Sequence, residues 1–269
     1  MPVTAKLSIA IVVGWILAAA LAPILIGDAN AIRLDATFDE PTFSAVLGRD
    51  DLGRDIGRRV LLGASVSCTV AFSVVAISVV FGTAFGMAIA WFGGIVDTVG
   101  ARIMDVFLAF PGILLAIALA AVLGPGIENV LMALAIVSWV GFARLARAQT
   151  LSVKQRDHVL VARALGTSVM RICLRHILPL ILAPLIVEAT FAVAAVIIAE
   201  AGLSFLGLGV QPPTPSWGAM IKDGTRYLLI APHMALGPGL ALFSIVVAIN
   251  TLGDRLRDAL QIKRAAFQN

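Results

Sequence analysis

The chain has 269 residues, of which 60% are hydrophobic and only 13% are Asp, Glu, Lys or Arg. Soluble domains carry about 25% charged residues. With a mean hydropathy of +1.00, the composition excludes an ordinary soluble domain and predicts a polytopic membrane protein. The net charge of +4 comes without the Lys or Arg runs that are typical of a nucleic-acid-binding surface.

Uninterrupted apolar stretches predict six transmembrane helices, because about 20 apolar residues cross the hydrocarbon layer. The predicted spans are residues 7–26, 66–91, 106–127, 129–143, 177–206 and 236–253. The long side chains of Arg144 and Arg147 complete the short fourth span by reaching the headgroups. A secretory signal peptide cleaved near residues 29–31 is the alternative for the first span, but its apolar core is longer than the usual 7 to 15 residues, so we expect it to be retained.

The distribution of Lys and Arg predicts the orientation of the chain in the membrane. With both termini in the cytoplasm, 13 basic residues lie inside and seven lie outside. A local cluster, Arg49, Arg54, Arg58 and Arg59, favours the opposite side. The total predicts a multi-pass membrane protein with both termini cytoplasmic.

The two cysteines and three histidines are scattered along the chain. Cys68 lies in an apolar stretch and Cys173 in a basic one, so we expect both to be free thiols. No spacing matches a common metal site, and we expect no protein-bound metal.

The interval 144–179 is the longest predicted cytoplasmic segment, and its pattern indicates a helix, a sharp turn and a second helix. Residues 154–165 are good helix formers, and Gly166 is suited to the left-handed position that ends a helix. Thr167 or Ser168 is placed to cap a following helix that runs toward Pro179. Two interpretations stay open at this point: docking of a partner protein, or an amphipathic helix on the bilayer surface.

Within this segment, Leu160-Val161-Ala162, Gly166 and Ile177-Leu178-Pro179 have the spacing of the E-A-A loop of ATP-binding-cassette (ABC) importer permeases, although the glutamate is absent and the first alanine is valine. Residues 47–55, 199–220 and 238–260 are similar to further segments of those permeases. The sequence therefore resembles the dipeptide, oligopeptide and nickel branch of this family over nearly the full chain.

The resemblance implies an all-α type I importer permease fold with a cytoplasmic coupling loop, located in the bacterial inner membrane. It implies an N-terminal helix and outer loop at 1–65, a permease core at 66–260 with the coupling region at 153–179, and a cytoplasmic tail at 261–269. The expected ATPase-coupling residues are Asp157, Leu160, Val161, Ala162, Arg163, Leu165, Gly166, Ile177 and Pro179.

The same resemblance implies four partners: a second, homologous permease subunit, two cytoplasmic ATPase subunits and an extracytoplasmic solute-binding protein. ATP would be bound by the ATPase subunits, and no cofactor by this chain. This agrees with the lysines, since none follows a glycine as a phosphate-binding G-x-x-x-x-G-K-[ST] loop requires.

Three residues are candidates for the translocation pathway. Glu188 and Glu200 lie inside an apolar span, where a charge is costly. Their separation of twelve residues turns them about 120° apart on a helix, so they do not form a paired proton site. The alternative is that packing or headgroup contacts satisfy both. Pro111 is expected to bend the third helix, as a moving gate or as a static kink.

Two further patterns concern packing. Gly82, Gly86, Gly93 and Gly94 predict a face of small residues on the second helix, where another helix approaches closely. The proline-rich segment 211–217 predicts an ordered outer loop near the solute-binding protein; the alternative for Trp217 is that it only anchors in the membrane interface.

These observations favour a permease subunit for peptides that performs no covalent chemistry. A nickel or metal-chelate permease of the same branch is the alternative substrate class. An ion-coupled carrier or channel is less favoured, because the two glutamates do not share a face. An intramembrane enzyme is disfavoured, because H-E-x-x-H, G-x-S-G and G-x-G-D motifs are absent from the sequence.

Overall fold

The structure is a computed structural model that describes residues 3–266, and the side chains of residues 3–260. Regular secondary structure in the described part is helical, and two isolated β-bridges lie in the loop 26–55. The helices are α1 (Val3–Leu25), α2 (Ile56–Phe92), α3 (Gly94–Leu108), α4 (Gly112–Leu123), α5 (Ile127–Val153), α6 (Asp157–Ala164), α7 (Val169–Ile172), α8 (Leu178–Phe205), α9 (Trp217–Thr225) and α10 (His233–Ala266).

Five of the described helices are long and apolar enough to cross a membrane, and α3 with α4 makes a sixth span if this bent pair is counted as one. The bend predicted at Pro111 is confirmed, and it divides the third span predicted at 106–127 into two helices. α3 and α4 meet at an angle of 81° around residues 109–111. The cause is local: Pro111 lacks a backbone N–H and disfavours the helical conformation at Phe110, so α3 cannot continue through it.

Two helices extend beyond the apolar stretches that predicted them. α2 begins at Ile56 instead of 66, because the Asp55 side chain accepts a hydrogen bond from the backbone N–H of Arg58 and caps the helix. α5 continues to Val153 rather than ending at 143. In both cases hydropathy locates the part of the helix within the membrane, whereas capping and turn residues determine where the helix ends.

The core of the bundle is built around α2, and its closest contact is with α5. A Cβ added at Gly82 would lie 2.5 Å from the carbonyl oxygen of Trp139, and one at Gly86 would lie 2.1 Å from that of Ala143. These two glycines therefore form the predicted close helix contact. Gly93 and Gly94 do not, since they form the turn into α3 with positive φ and open space around them.

Trp217 is fully buried at the start of α9, which excludes the alternative that it only anchors in the membrane interface. Its Nε1 donates a hydrogen bond of 2.9 Å to the carbonyl oxygen of Val60 in α2. Its ring contacts Trp15 of α1 edge to face, at 5.1 Å between ring centroids. Trp15 in turn donates to Ser244 Oγ of α10 at 2.9 Å. The two tryptophans thus join four helices.

α8 and α10 pack side by side in opposite directions, with Gly253 at the crossing. A Cβ there would lie 2.7 Å from Thr190 Oγ1 and 3.1 Å from the Phe191 ring, so a larger residue would separate the helices. α10 then continues to Ala266, so most of the segment predicted as a tail at 261–269 is helical. Residues 267–269 of that tail lie outside the described part of the chain.

Candidate functional site

The predicted helix-turn-helix is present between α5 and α8, and its turn depends on Gly166. α6 ends in a left-handed glycine with φ +74°. The N–H of Gly166 donates to the carbonyl of Arg163, and that of Thr167 to the carbonyl of Ala162, both at 3.1 Å. This pair of bonds is the Schellman arrangement. A Cβ at Gly166 would meet nothing within 4 Å, so backbone conformation alone favours glycine here.

α6 has two different faces. Val159 and Ala162 are buried, at 1% and 8% exposure, and hold the helix against the bundle. Leu160, Val161 and Leu165 are 48%, 56% and 80% exposed. Asp157 and Arg163 are also exposed. α6 therefore presents three large apolar side chains and two charges on an exposed surface outside the long spanning helices.

The second half of the segment leads into the bundle without a loop. α7 is followed by one π-helical turn, Cys173–Ile177, and then directly by α8. Ile177 is fully buried, whereas Pro179 is exposed in the first turn of α8. The nine predicted coupling residues are therefore divided: Ala162 and Ile177 are internal, and the others face outward or form the turn.

Lys154 connects this segment to the end of α2, a contact that the sequence analysis did not identify. Its Nζ donates a hydrogen bond of 2.7 Å to the carbonyl oxygen of Ala90. Lys154, Trp91 and Arg163 also line a cavity of about 270 Å³ beside α6. The sequence shows a lysine directly after an apolar helix, but it does not indicate that the lysine bonds to Ala90, which is 64 residues away.

Glu200, a predicted pathway residue, lies on α8 at its contact with α2 and is only 1% exposed. Its carboxylate accepts hydrogen bonds from Ser67 Oγ at 2.8 Å and from Ser204 Oγ at 2.7 Å. The two serine hydroxyls compensate the loss of hydration. For Glu200 the geometry supports the alternative stated from the sequence, satisfaction by packing.

Glu188 has a different environment. It is half-buried on α8 and lines a cavity of about 320 Å³ together with Arg257 of α10. Glu188 Oε1 lies 3.5 Å from the position of a Cβ at Gly141, so α5 backs the carboxylate. Pro111, the third candidate, is exposed at the start of α4, directly after the bend. The three candidates do not form one cluster.

The loop 26–55 contains a polar cluster around Asp50 that sequence reasoning missed. Asp50 is 6% exposed and accepts hydrogen bonds from the backbone of Leu52 and from the backbone and side chain of Arg54. Arg59, also 6% exposed, lies 3.8 Å from the same carboxylate. The segment 47–55 that resembles importer permeases thus folds around one buried carboxylate.

Asp51, next to this cluster, is poorly satisfied. Its Oδ1 is buried without a hydrogen-bond partner and lies 3.6 Å from Arg54 Nη2. Burial and, to a lesser degree, the neighbouring Asp50 raise the pKa of the Asp51 carboxyl above its ordinary value. The loop therefore carries one carboxylate whose charge is disfavoured in the folded state.

A second ion pair missed by the sequence analysis joins α3 to α5. Arg147 donates two hydrogen bonds to Asp97, each of 2.6 Å, in the parallel arrangement that arginine forms with carboxylates. Asp97 and Arg147 are 50 residues apart in sequence. A hydropathy profile shows only that Asp97 and Arg147 lie beside predicted spans. It does not show that they pair with each other.

Comparison with known proteins agrees with this architecture. Residues 78–264 match the family described as binding-protein-dependent transport system inner membrane component. The glutathione transport system permease protein GsiD of Escherichia coli O1:K1 / APEC is 47% identical over 234 residues, which cover 87% of this chain and 77% of the relative. The GsiD protein of Shigella boydii serotype 4 (strain Sb227) has the same identity and coverage.

Among solved structures, the MetNI methionine ABC transporter in an inward-facing conformation is similar, with a TM-score of 0.58 over 76% of this chain and 95% of that chain. The sequence identity is 19%, so this likeness concerns the fold. Together with the family match and the spanning helices, it confirms the type I importer permease fold. The chain belongs to the binding-protein-dependent transport system inner membrane component family and is a multi-pass permease subunit of an ABC importer, a transporter component that works with ATPase and solute-binding partners.

Proposed function

We propose that this permease subunit forms half of a translocation pathway for short peptides. Relatives that are 47% identical over most of the chain are named for glutathione transport, and glutathione is itself a small peptide derivative. The other half of the pathway would come from a second, homologous permease subunit, with both termini of this chain in the cytoplasm. ATP would be bound by the ATPase subunits.

The segment 157–179 is the contact through which the ATPase drives the pathway. The observation that carries this proposal is the outward face of α6, where Leu160, Val161 and Leu165 are exposed on a helix fixed by buried Val159 and Ala162. A groove on the ATPase that covers these side chains removes their apolar surface from water, which stabilises the complex. The exposed Asp157 and Arg163 supply charges for orientation.

A movement of α6 would be transmitted to the bundle through two structural connections. One is the continuous connection through the π-helical turn to α8, and the other is the hydrogen bond from Lys154 to Ala90 at the end of α2. α8 carries Glu188 and Glu200, and α2 is the central helix of the core. ATP binding would thereby change the packing of the helices that surround the pathway.

The test is peptide uptake by the complete transporter in proteoliposomes, with the solute-binding protein and ATP present. We expect ATP-dependent uptake by the wild-type complex. We expect Gly166→Val to lose most uptake and to copurify with less ATPase subunit. A β-branched residue at φ +74° is strained, and the left-handed conformation costs about 1–2 kcal/mol for a side-chain-bearing residue.

Gly166→Asn is the matched control, because asparagine tolerates the left-handed conformation and the site has room for a side chain. It is expected to keep most uptake and ATPase binding. Uptake by wild type without ATP would contradict the importer mechanism. Normal uptake and normal ATPase copurification of Gly166→Val would contradict the coupling role of the segment.

A further inference from the structure

The cavity of about 320 Å³ between α5, α8 and α10 has one acidic and one basic side chain in its wall. Glu188 comes from α8 and is half-buried, whereas Arg257 comes from α10 and is exposed. The other side chains that matter here are apolar: Leu145, Pro184, Val187 and Phe191. A volume of this size lies at the lower end of the range for small-molecule sites, which are typically apolar with a few polar groups.

The register of α8 and α10 places the two charges at the same level. The helices touch at Gly253, which lies against Thr190 and Phe191. From this contact, Arg257 is one turn further along α10 and Glu188 one turn back along α8. Because the helices run in opposite directions, both steps lead to the same side of the crossing, where the cavity opens. Pro184, Glu188 and Phe191 have the spacing of a single helix face.

Neither charge has a partner in the part of the chain whose side chains the structure describes. The ion pairs found within 4.0 Å in residues 3–260 do not include Glu188 or Arg257. By contrast, Glu200 receives two serine hydroxyls and Asp97 receives Arg147. An ionisable group in a membrane span needs a partner that offsets the loss of hydration. Among the carboxylates of Glu188, Glu200 and Asp97, Glu188 is therefore the one for which a ligand would supply that partner.

We propose that this cavity is a subsite for zwitterionic peptides, in which Glu188 accepts hydrogen bonds from the α-ammonium group and Arg257 donates to the α-carboxylate. This inference rests on the proposed import of peptides. A simple anion would be repelled by Glu188 and a simple cation by Arg257, whereas a molecule with both charges satisfies both walls. The apolar side chains between them make few demands on the identity of the peptide side chains, as transport of varied peptides requires.

The position of the site suits release toward the cytoplasm. Glu188 is ten residues from the start of α8, about 15 Å along the helix axis, and α8 begins at the coupling segment. The cavity therefore lies in the half of the bundle next to the ATPase contact. A change in the angle between α8 and α10 on the cytoplasmic side of Gly253 would alter the distance between Glu188 and Arg257, and with it the affinity for the ligand.

The test is equilibrium binding to the complete permease–ATPase complex in nanodiscs, without the solute-binding protein. The probes are radiolabelled dialanine, N-acetyl-dialanine and dialanine amide, which carry both charges, only the carboxylate, and only the ammonium. Loss of a charge-assisted hydrogen bond is expected to weaken dialanine binding by about tenfold or more in Glu188→Gln and in Arg257→Gln.

The two variants are expected to differ with the blocked probes. Because each substitution removes a like charge, Glu188→Gln should not weaken binding of N-acetyl-dialanine and Arg257→Gln should not weaken binding of dialanine amide; either affinity is expected to stay the same or rise. Glu188→Asp and Arg257→Lys retain the charges and should recover part of the binding, which separates a ligand contact from a folding defect. Exposed Glu128 and Arg226 provide matched controls, Glu128→Gln and Arg226→Gln, with no expected effect.

Equal losses for all three probes, or no loss for any, would overturn the subsite. So would a wild-type complex that shows ATP-dependent peptide uptake with the binding protein but binds none of the probes. That last result would leave the proposed function intact. Failure of the proposed function is recognised independently, as absence of ATP-dependent peptide uptake by the wild-type transporter.

Discussion

Asp51 shows how a single residue in the loop 26–55 links folding stability to pH. Its carboxyl is partly buried beside Asp50, and one oxygen lacks a hydrogen-bond partner. Because the pKa in the folded state exceeds that in the unfolded state, the folded state binds the proton more readily. The resulting destabilisation is absent below the unfolded-state pKa and is complete once the pH has risen above the folded-state pKa.

We therefore predict that Asp51→Asn raises the Tm at neutral pH and that this gain shrinks at about pH 4, where Asp51 approaches protonation. The measurement is thermal unfolding of the purified protein in detergent at both pH values, followed by tryptophan fluorescence. Asp39→Asn, at an exposed position of the same loop, should change the Tm little at either pH. An equal gain from Asp51→Asn at both pH values would show that burial of the charge is not the cause.

Single residues also show what the sequence predicts well. Gly166 was identified because a helix that must turn sharply needs a residue with free access to positive φ, and that requirement is local. The partners of Lys154 and Arg147 were not identified, because Ala90 and Asp97 lie 64 and 50 residues away. Local backbone requirements are visible in the sequence, whereas pairing across the bundle depends on helix register.

Among the helix pairs, the contact between α2 and α5 depends most clearly on small residues. At Gly86 even a methyl group would overlap with the backbone of Ala143, where the neighbour cannot rotate away. A substitution there must separate the helices, and overpacking of this kind costs about 1–3 kcal/mol. The glycines serve close packing, as the sequence predicted for Gly82 and Gly86.

We predict that Gly86→Ala lowers the Tm of the purified permease and the yield of monodisperse protein. The comparison is Gly14→Ala in α1, where an added Cβ meets nothing within 4 Å. That variant should be neutral or slightly stabilising, because alanine favours the helix more than glycine. If both variants behaved alike, general helix propensity and not the α2–α5 contact would explain the result.

The elements also show where hydropathy is insufficient. It located the spanning helices but joined α3 to α4, because Ala109, Phe110 and Pro111 are all apolar and the bend is a backbone effect. The sequence also left open that Trp217 anchors in the membrane interface, a common environment for exposed tryptophan. The structure buries Trp217 through a hydrogen bond to α2, a contact set by packing of segments 157 residues apart.

At the scale of the whole molecule, the coupling segment and the bundle behave as connected parts. Lys154 holds the start of the segment to the last turn of α2. We predict that Lys154→Met leaves ATPase assembly intact but lowers the amount of solute moved per ATP hydrolysed by about three- to tenfold. This range corresponds to a loss of about 1 kcal/mol for one hydrogen bond.

The measurement is the ratio of uptake to ATP hydrolysis in proteoliposomes. Lys6→Met removes the same charge from an exposed position on α1 and should leave the ratio unchanged. An unaltered ratio in Lys154→Met would mean that the contact with Ala90 does not transmit movement.

The π-helical turn Cys173–Ile177 leads directly into α8, so α8 would pivot about this turn as one unit. No loop separates α8 from the segment 157–179, which we propose as the ATPase contact, so a tilt at this turn would displace each residue of α8 in proportion to its distance along the helix. For each 10° of tilt, Glu188, about 15 Å away, is displaced by about 3 Å. A displacement of that size is comparable to the length of one hydrogen bond. It is large enough to break the proposed contact between Glu188 and the α-ammonium group of the peptide and so to release that end.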